Sequence, residues 1–206
     1  MSYINRHNLP QRGFRYVTPP SERSYLVSLD QAKEHLRIGH SSDDSYITQL
    51  IKVAQMMCED FTGQFFTPVV MEYYADNWQQ TKEIPNYSTV RSIASIEYYD
   101  ENDVLQTLSS SNYYLENATK RSRIALKDNV DYPDLRDGIG NIKITLTFNI
   151  MNYAGGESYT FMAYQAMLIT IADLYENRQS VIVGRIASVI PKTAEYILNK
   201  IKIQNL

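Results

Sequence analysis

The chain has 206 residues, of which 44% are hydrophobic and 21% charged, with a formal net charge of −3. That is ordinary globular composition, enough for one sizeable core or one core with a satellite domain, and a single cysteine, Cys58, excludes an intramolecular disulfide framework and favours a reducing compartment. The opening stretch MSYINRHNLPQRGFRY has no apolar signal region, and the most apolar run, Phe161 to Tyr175, is interrupted by Gln165, Thr170 and Asp173 and is short for a membrane span of about 20 residues, so a soluble protein without a membrane partner is expected.

Residues 1–27 carry Arg6, Arg12, Arg15 and Arg23 with Pro10, Pro19 and Pro20 and no apolar period, which reads as an extended basic arm. The first 24 residues have net charge +3, residues 178–206 have +4, and the stretch between them has −10. Basic ends on an acidic body suggest that ends and body meet different partners. There are 17 tyrosines against 6 phenylalanines, several in pairs (Tyr73–Tyr74, Tyr98–Tyr99, Tyr113–Tyr114). In a strand one of each pair points away from the core, and tyrosine suits surfaces buried on assembly.

Ser28 opens a helix, with Gln31 as its capping-box partner and Leu29, Ala32 and Leu36 along one face; Gly39 is expected to end it. Ser42 or Asp43 caps a second helix, whose positive dipole end is met by Asp43 and Asp44. Ile47, Leu50, Ile51, Ala54, Met57, Cys58 and Phe61 form its apolar stripe, and Thr62-Gly63 stops it. Cys58 lies within that stripe, as a small core residue and not a nucleophile. His35 and His40 flank the turn without a third ligand nearby, so no metal is expected.

From Val69 to Phe148 the period shifts toward two. Strands are predicted at Val69–Ala75, Ile93–Tyr99, Val104–Leu108, Tyr113–Leu115, Ile124–Leu126 and Asn141–Phe148, with a hairpin turn at Asp100-Glu101-Asn102-Asp103. Asp100, Glu101, Asp103, Asp128, Asp131, Asp134 and Asp137 fall mostly in turns, where Asp is favoured anyway, and fit no calcium-loop spacing. Ala154-Gly155-Gly156 lacks the flanking pattern of a phosphate loop. Thr160 caps a third helix, Phe161 to about Arg178, with Phe161, Tyr164, Leu168, Ile171, Ala172 and Tyr175 on one face. Its remaining faces are also largely apolar, so it should be the central helix of a bundle or be covered by a neighbouring subunit. A linker, 179–188, leads to Pro191 as the first residue of a last helix, in which Ala194, Ile197, Leu198 and Ile201 are apolar and Lys200 and Lys202 sit at the negative dipole end. The predicted fold is α+β: a small helical bundle of two N-terminal and two C-terminal helices (28–66 and 160–206) with an inserted antiparallel β-rich region (67–159).

Several blocks resemble one family. Ser28-Leu29-Asp30 through Ala32-Lys33-Glu34-His35-Leu36-Arg37-Ile38, then Asp43-Asp44 with Ile47, Leu50-Ile51 and Ala54, then Glu59-Asp60-Phe61-Thr62-Gly63, look like the opening of tailed-phage head–tail connector (head-completion or adaptor) proteins. Similarity continues at Ser92 to Asp100, Asn112-Tyr113-Tyr114 and Tyr175-Glu176-Asn177-Arg178. Two positions depart from the pattern: Gln64 stands where such proteins usually have Arg, and Asn149 to Tyr153 where Gly-Tyr is common.

The resemblance implies a homo-oligomeric ring, a dodecamer, in the virion neck, assembled in the host cytoplasm. It implies docking to the portal protein, binding of stopper or tail-tube proteins, and a channel through which DNA passes without sequence-specific binding. The C-terminal segment would dock into the portal through Arg185, Lys192, Ile197, Leu198, Lys200, Ile201 and Lys202. Subunit contacts are expected at Lys33, Arg37, Asp43, Asp44, Tyr175 and Arg178. No catalytic constellation, cofactor or metal site is read from the residues. Two competing readings are a nucleic-acid-binding module using the basic termini and an enzyme built on Asp100, Asp131 and Asp134.

Overall fold

The computed structural model describes residues 13–17, 22–82, 84, 90–116, 122–149, 159–177 and 190–202. In chain order these form β1 (Phe14–Tyr16), α1 (Leu29–Leu36), α2 (Asp44–Thr62), β2 (Val69–Ala75), α3 (Trp78–Thr81), β3 (Val90–Tyr99), β4 (Leu105–Thr107), β5 (Tyr113–Glu116), β6 (Arg123–Leu126), β7 (Ile142–Phe148), α4 (Tyr159–Glu176) and α5 (Lys192–Leu198). The class is α+β, as expected. Two compact units divide the chain: 1–23 with 68–149, and 24–67 with 150–206.

In the helical unit α1 begins as its sequence dictates. The Gln31 amide donates to Ser28 Oγ at 3.2 Å and the Ser28 amide to Gln31 Oε1 at 2.9 Å, which closes the capping box. The helix stops earlier than Gly39 suggests. Arg37 adopts the left-handed conformation (φ 58°), and its amide and that of Ile38 return to the carbonyls of Glu34 and Lys33. A non-glycine residue performs the C-cap, and Gly39 lies outside the turn. Gly63, at φ 69°, ends α2 as predicted, with its amide on the Glu59 carbonyl.

Ile47, Leu50, Ile51, Ala54 and Cys58 of α2 are buried, while Met57 and Phe61 lie at the margin of the core. α4 packs against α1, α2 and α5 and is the central helix. Its inward face differs from the expected one. Ala163, Ala166, Met167, Thr170 and Ile171 are buried with Leu168, whereas Phe161 is 62% exposed. A helix that is apolar on all sides offers little contrast from which to read orientation. The two alanines decide it, because only small side chains let neighbouring helices approach closely. Burying side chains the size of Met167 or Ile171 stabilises the unit by about 1.5–3 kcal/mol each. Pro191 is the residue before α5 and not its first (φ −53°, ψ 138°).

The second unit holds a five-stranded antiparallel sheet of order β1-β2-β7-β3-β4 and a two-stranded β5-β6 ribbon. β2 and β7 pair from Val69↔Phe148 to Ala75↔Ile142, and every second residue is buried: Val69, Met71, Tyr73 and Ala75 against Ile142, Ile144, Leu146 and Phe148. β3 is longer than predicted. It shifts register twice against β7, and Ile96 becomes its central core residue while Ile93 is half-buried. The other face is polar. Arg15 pairs with Glu72 at 3.2 Å and Lys143 with Glu97 at 2.8 Å, and the hydrogen bond that Lys143 donates to Glu97 raises the Lys143 pKa.

The basic arm needs one correction, since residues 14–16 form edge strand β1 beside β2. Phe14 is buried there, with its ring 4.9 Å from Tyr73 and 5.9 Å from Phe148. Three residues are too few to carry a period, which is why the sequence pattern did not reveal the strand.

Candidate interaction surfaces

The α1–α2 turn gathers most of the residues expected at subunit contacts, and the chain uses them internally. Lys33 Nζ donates to Asp44 Oδ1 at 2.6 Å, and the Tyr175 hydroxyl of α4 donates to Asp43 Oδ2. Tyr46 and Tyr175 lie 6.0 Å apart, ring centre to ring centre. Asp43 is the N-cap residue of α2, but its side chain makes no capping bond and serves Tyr175 instead. Arg37 is exposed, and Arg178 lies outside the described residues.

The C-terminal helix divides in the same manner. Leu198 and Ile201 are 0% and 2% exposed and belong to the helical core, with Ile197 packed against its edge. Anchors for a partner's groove must be free, so these two residues hold α5 to its own bundle. The outward residues are Lys192, Tyr196, Lys200 and Lys202, with Tyr196 68% exposed. Lys200 Nζ lies 5.2 Å over the Tyr196 ring and Lys202 Nζ 4.3 Å over Phe61. The buried Gln64, which departs from the family pattern, donates from Nε2 to the Ile201 carbonyl and ties the end of the segment down. Arg185 lies outside the described residues.

A buried polar cluster on α2 escaped the sequence reading. Gln55 Oε1 accepts from the Leu26 amide at 2.9 Å, while Nε2 donates to Glu59 Oε1 at 3.1 Å and Thr67 Oγ1 at 3.2 Å. Glu59 Oε1 also accepts the Phe66 amide at 2.8 Å, and Thr67 Oγ1 donates to the Ser24 carbonyl at 2.9 Å. The cluster fastens the chain on both sides of the helix pair. Its only sequence signal is a Gln and a Glu four residues apart that interrupt the apolar stripe's flank.

At one end of the sheet the acidic turns are likewise structural. Asp100 accepts from the amides of Asn102 and Val104, both at 3.0 Å, and from Gln106 Nε2 at 2.9 Å; the Gln106 bond leads in lowering its pKa. Arg136 stacks 4.0 Å over Tyr99, donates to Asn141 Oδ1 at 3.0 Å and pairs with Asp103. Trp78 donates to the Pro133 carbonyl at 2.8 Å and packs on Tyr98 and Tyr132. Among the described residues no three His, Cys, Asp or Glu side chains converge as a metal site would require, and no helix is long and apolar enough to cross a membrane. The Cys58 thiol is pushed up to about 11 by burial, so it stays a thiol at neutral pH.

Residues 26–112 match the family model of phage gp6-like head-tail connector proteins, the class that the sequence blocks resemble. No curated protein sequence matches the chain. Among solved structures, the fold is similar to a chain in the neck of an empty gene transfer agent particle computed with C6 symmetry. The identity is 15%, the coverage is 94% of this chain and 96% of that one, and the TM-score is 0.66. A chain in the virion of the native gene transfer agent particle gives the same values. A chain in the native particle's neck computed with C12 symmetry gives a TM-score of 0.60 at 15% identity and the same coverage. At that identity the likeness establishes the fold.

Proposed function

We propose that this chain is a structural, non-enzymatic subunit of a phage-type virion neck. Its copies form a dodecameric ring that docks under the portal, extends the DNA channel and offers the attachment site for stopper or tail-tube proteins. The observation that carries this reading is the likeness along 94% of the chain to a chain of a particle neck. The connector-family match over residues 26–112 supports it independently.

Docking to the portal falls to the C-terminal segment through its exposed residues, Lys192, Lys200 and Lys202, with Tyr196 between them. Leu198 and Ile201 keep the helix in place, and Arg37 is the free member of the α1–α2 turn for contact with a neighbouring subunit. The net charge of −10 over the body suits a channel that passes DNA without holding phosphates.

Mass photometry of the purified chain, alone and with portal protein, tests the proposal. A ring-sized species that joins the portal is expected. A strict monomer that never joins it, together with salt-dependent retention of DNA, would instead favour the nucleic-acid-binding alternative.

A further inference from the structure

We propose that the end of the sheet formed by loop 136–141 and the β3–β4 hairpin is the neck ring's docking surface for a tail-side protein, one that presents an apolar socket rimmed by Lys and Arg. The inference rests on the neck reading and adds the surface and the chemistry of the partner.

Ile139 is 82% exposed, the most exposed large apolar side chain among the described residues. It stands between Gly138 (φ 151°) and Gly140 (φ 63°), backbone angles that favour glycine. A Cβ would meet only Asn141 Oδ1 at 3.6 Å at Gly138 and nothing within 4 Å at Gly140, so it is conformation and not crowding that calls for glycine.

The loop that lifts Ile139 is braced. The Asn141 side chain, buried, reaches the carbonyls of Asp76, Arg136 and Gly138 at 3.0, 3.1 and 3.0 Å, and the Gly140 amide donates to Asp76 Oδ1 at 2.6 Å. Arg136 ties the same loop to Asp103 and Tyr99. An apolar side chain on a loop fixed in advance loses little entropy on binding, which is the property of an anchor.

The registers Ala75↔Ile142, Tyr98↔Ile142 and Tyr99↔Leu105 bring the β3–β4 hairpin to the same end. There Val104 and Leu105 are 51% and 48% exposed. The surrounding charge is negative: Glu101, Asp131, Asp134 and Asp137 are exposed. The basic residues of 122–141 are engaged, Arg123 with Glu116, Lys127 over Tyr114 and Arg136 with Asp103. An apolar knob in an acidic rim complements a basic-rimmed socket and repels a second acidic surface, which gives orientation as well as attraction.

The test uses the assembled ring and, as probe, the purified tail-side subunits of the same virion, with binding measured by biolayer interferometry at two salt concentrations. Ile139→Asp should leave ring mass and circular dichroism unchanged and weaken tail-side binding by about 30-fold or more. Ile139→Val should bind as wild type, and D134K with D137K should weaken binding and flatten its salt dependence. Wild-type rings that bind no tail-side subunit would overturn the neck reading. Rings in which Ile139→Asp binds as tightly as wild type, or loses portal binding instead, would overturn the docking surface while leaving the neck reading intact.

Discussion

Replacing Gln55 with Ala should cost more than any exposed substitution on the same helix. Gln55 is 1% exposed, and its amide makes three bonds of 3.2 Å or less, to Leu26, Glu59 and Thr67. A net hydrogen bond is worth about 0.5–1.5 kcal/mol, and a buried polar group left without a partner costs about 1–3 kcal/mol. Thr67 retains its bond to Ser24 and Glu59 its bond to Phe66, so the loss concentrates on the Leu26 amide and on the gap left by the side chain. The sum is about 3 kcal/mol, a large share of a typical stability of about 5–15 kcal/mol. For a chain of this size that corresponds to a fall in melting temperature of about 6–12 °C. Urea unfolding followed by circular dichroism at helical wavelengths reads the helical unit, while the single tryptophan, Trp78, reports on the sheet unit by fluorescence. Gln49→Ala, on the exposed side of α2, is the control. A Gln55→Ala loss no larger than that of Gln49→Ala would refute the assignment of the cluster as a structural clamp.

Gly13→Ala should detach β1, because φ is 100° and the new Cβ would lie 2.8 Å from the Tyr74 carbonyl; hydrogen exchange at the Tyr74 amide, which donates to Gly13, should accelerate. Cys58 should resist thiol reagents at mildly alkaline pH and react fully in denaturant, since burial raises its pKa to about 11; rapid native labelling would contradict the packing of α2 against α4. Asp100 should titrate below its ordinary value of 3.8 in pH-dependent NMR spectra. Because its folded pKa is depressed, its contribution to the hairpin is present above 3.8 and lost as pH falls through the lower folded value, and Asp100→Asn should remove that pH dependence.

Legibility in the sequence followed the physical contrast between faces. Ser28 with Gln31, the stripe from Ile47 to Cys58, and alternation from Ile142 to Phe148 each set apolar against polar at a fixed period, and each element stands where that period puts it. α4 lacks such contrast: the face that holds Phe161, Leu168 and Ile171 is no more apolar than its neighbours, and Phe161 faces solvent while Leu168 and Ile171 are buried. Another part of the site needed the folded chain: Lys33, Asp43, Asp44 and Tyr175 have the chemistry of an interface, and the pairs they make within the chain, Lys33 with Asp44 and Tyr175 with Asp43, join segments that no local pattern links. The brace of Asn141, Arg136 and Asp76 depends on three segments converging at one sheet end, which no local pattern encodes.

The interleaving of the two units bears on how the protein is made. α1 and α2 emerge from the ribosome long before α4, whose first residue lies 92 positions beyond Thr67. At roughly 5–20 residues per second, the apolar stripe of α2 waits about 5–20 s for its cover. The sheet waits as well, since β2 cannot gain its central neighbour until β7 is synthesised. The sheet unit can close once residue 149 has been made, but the helical core cannot close on any fragment that lacks α4 and α5, so premature termination leaves the α2 stripe uncovered. Production of this protein should therefore respond strongly to chaperone capacity and to slower translation across the final third of the message.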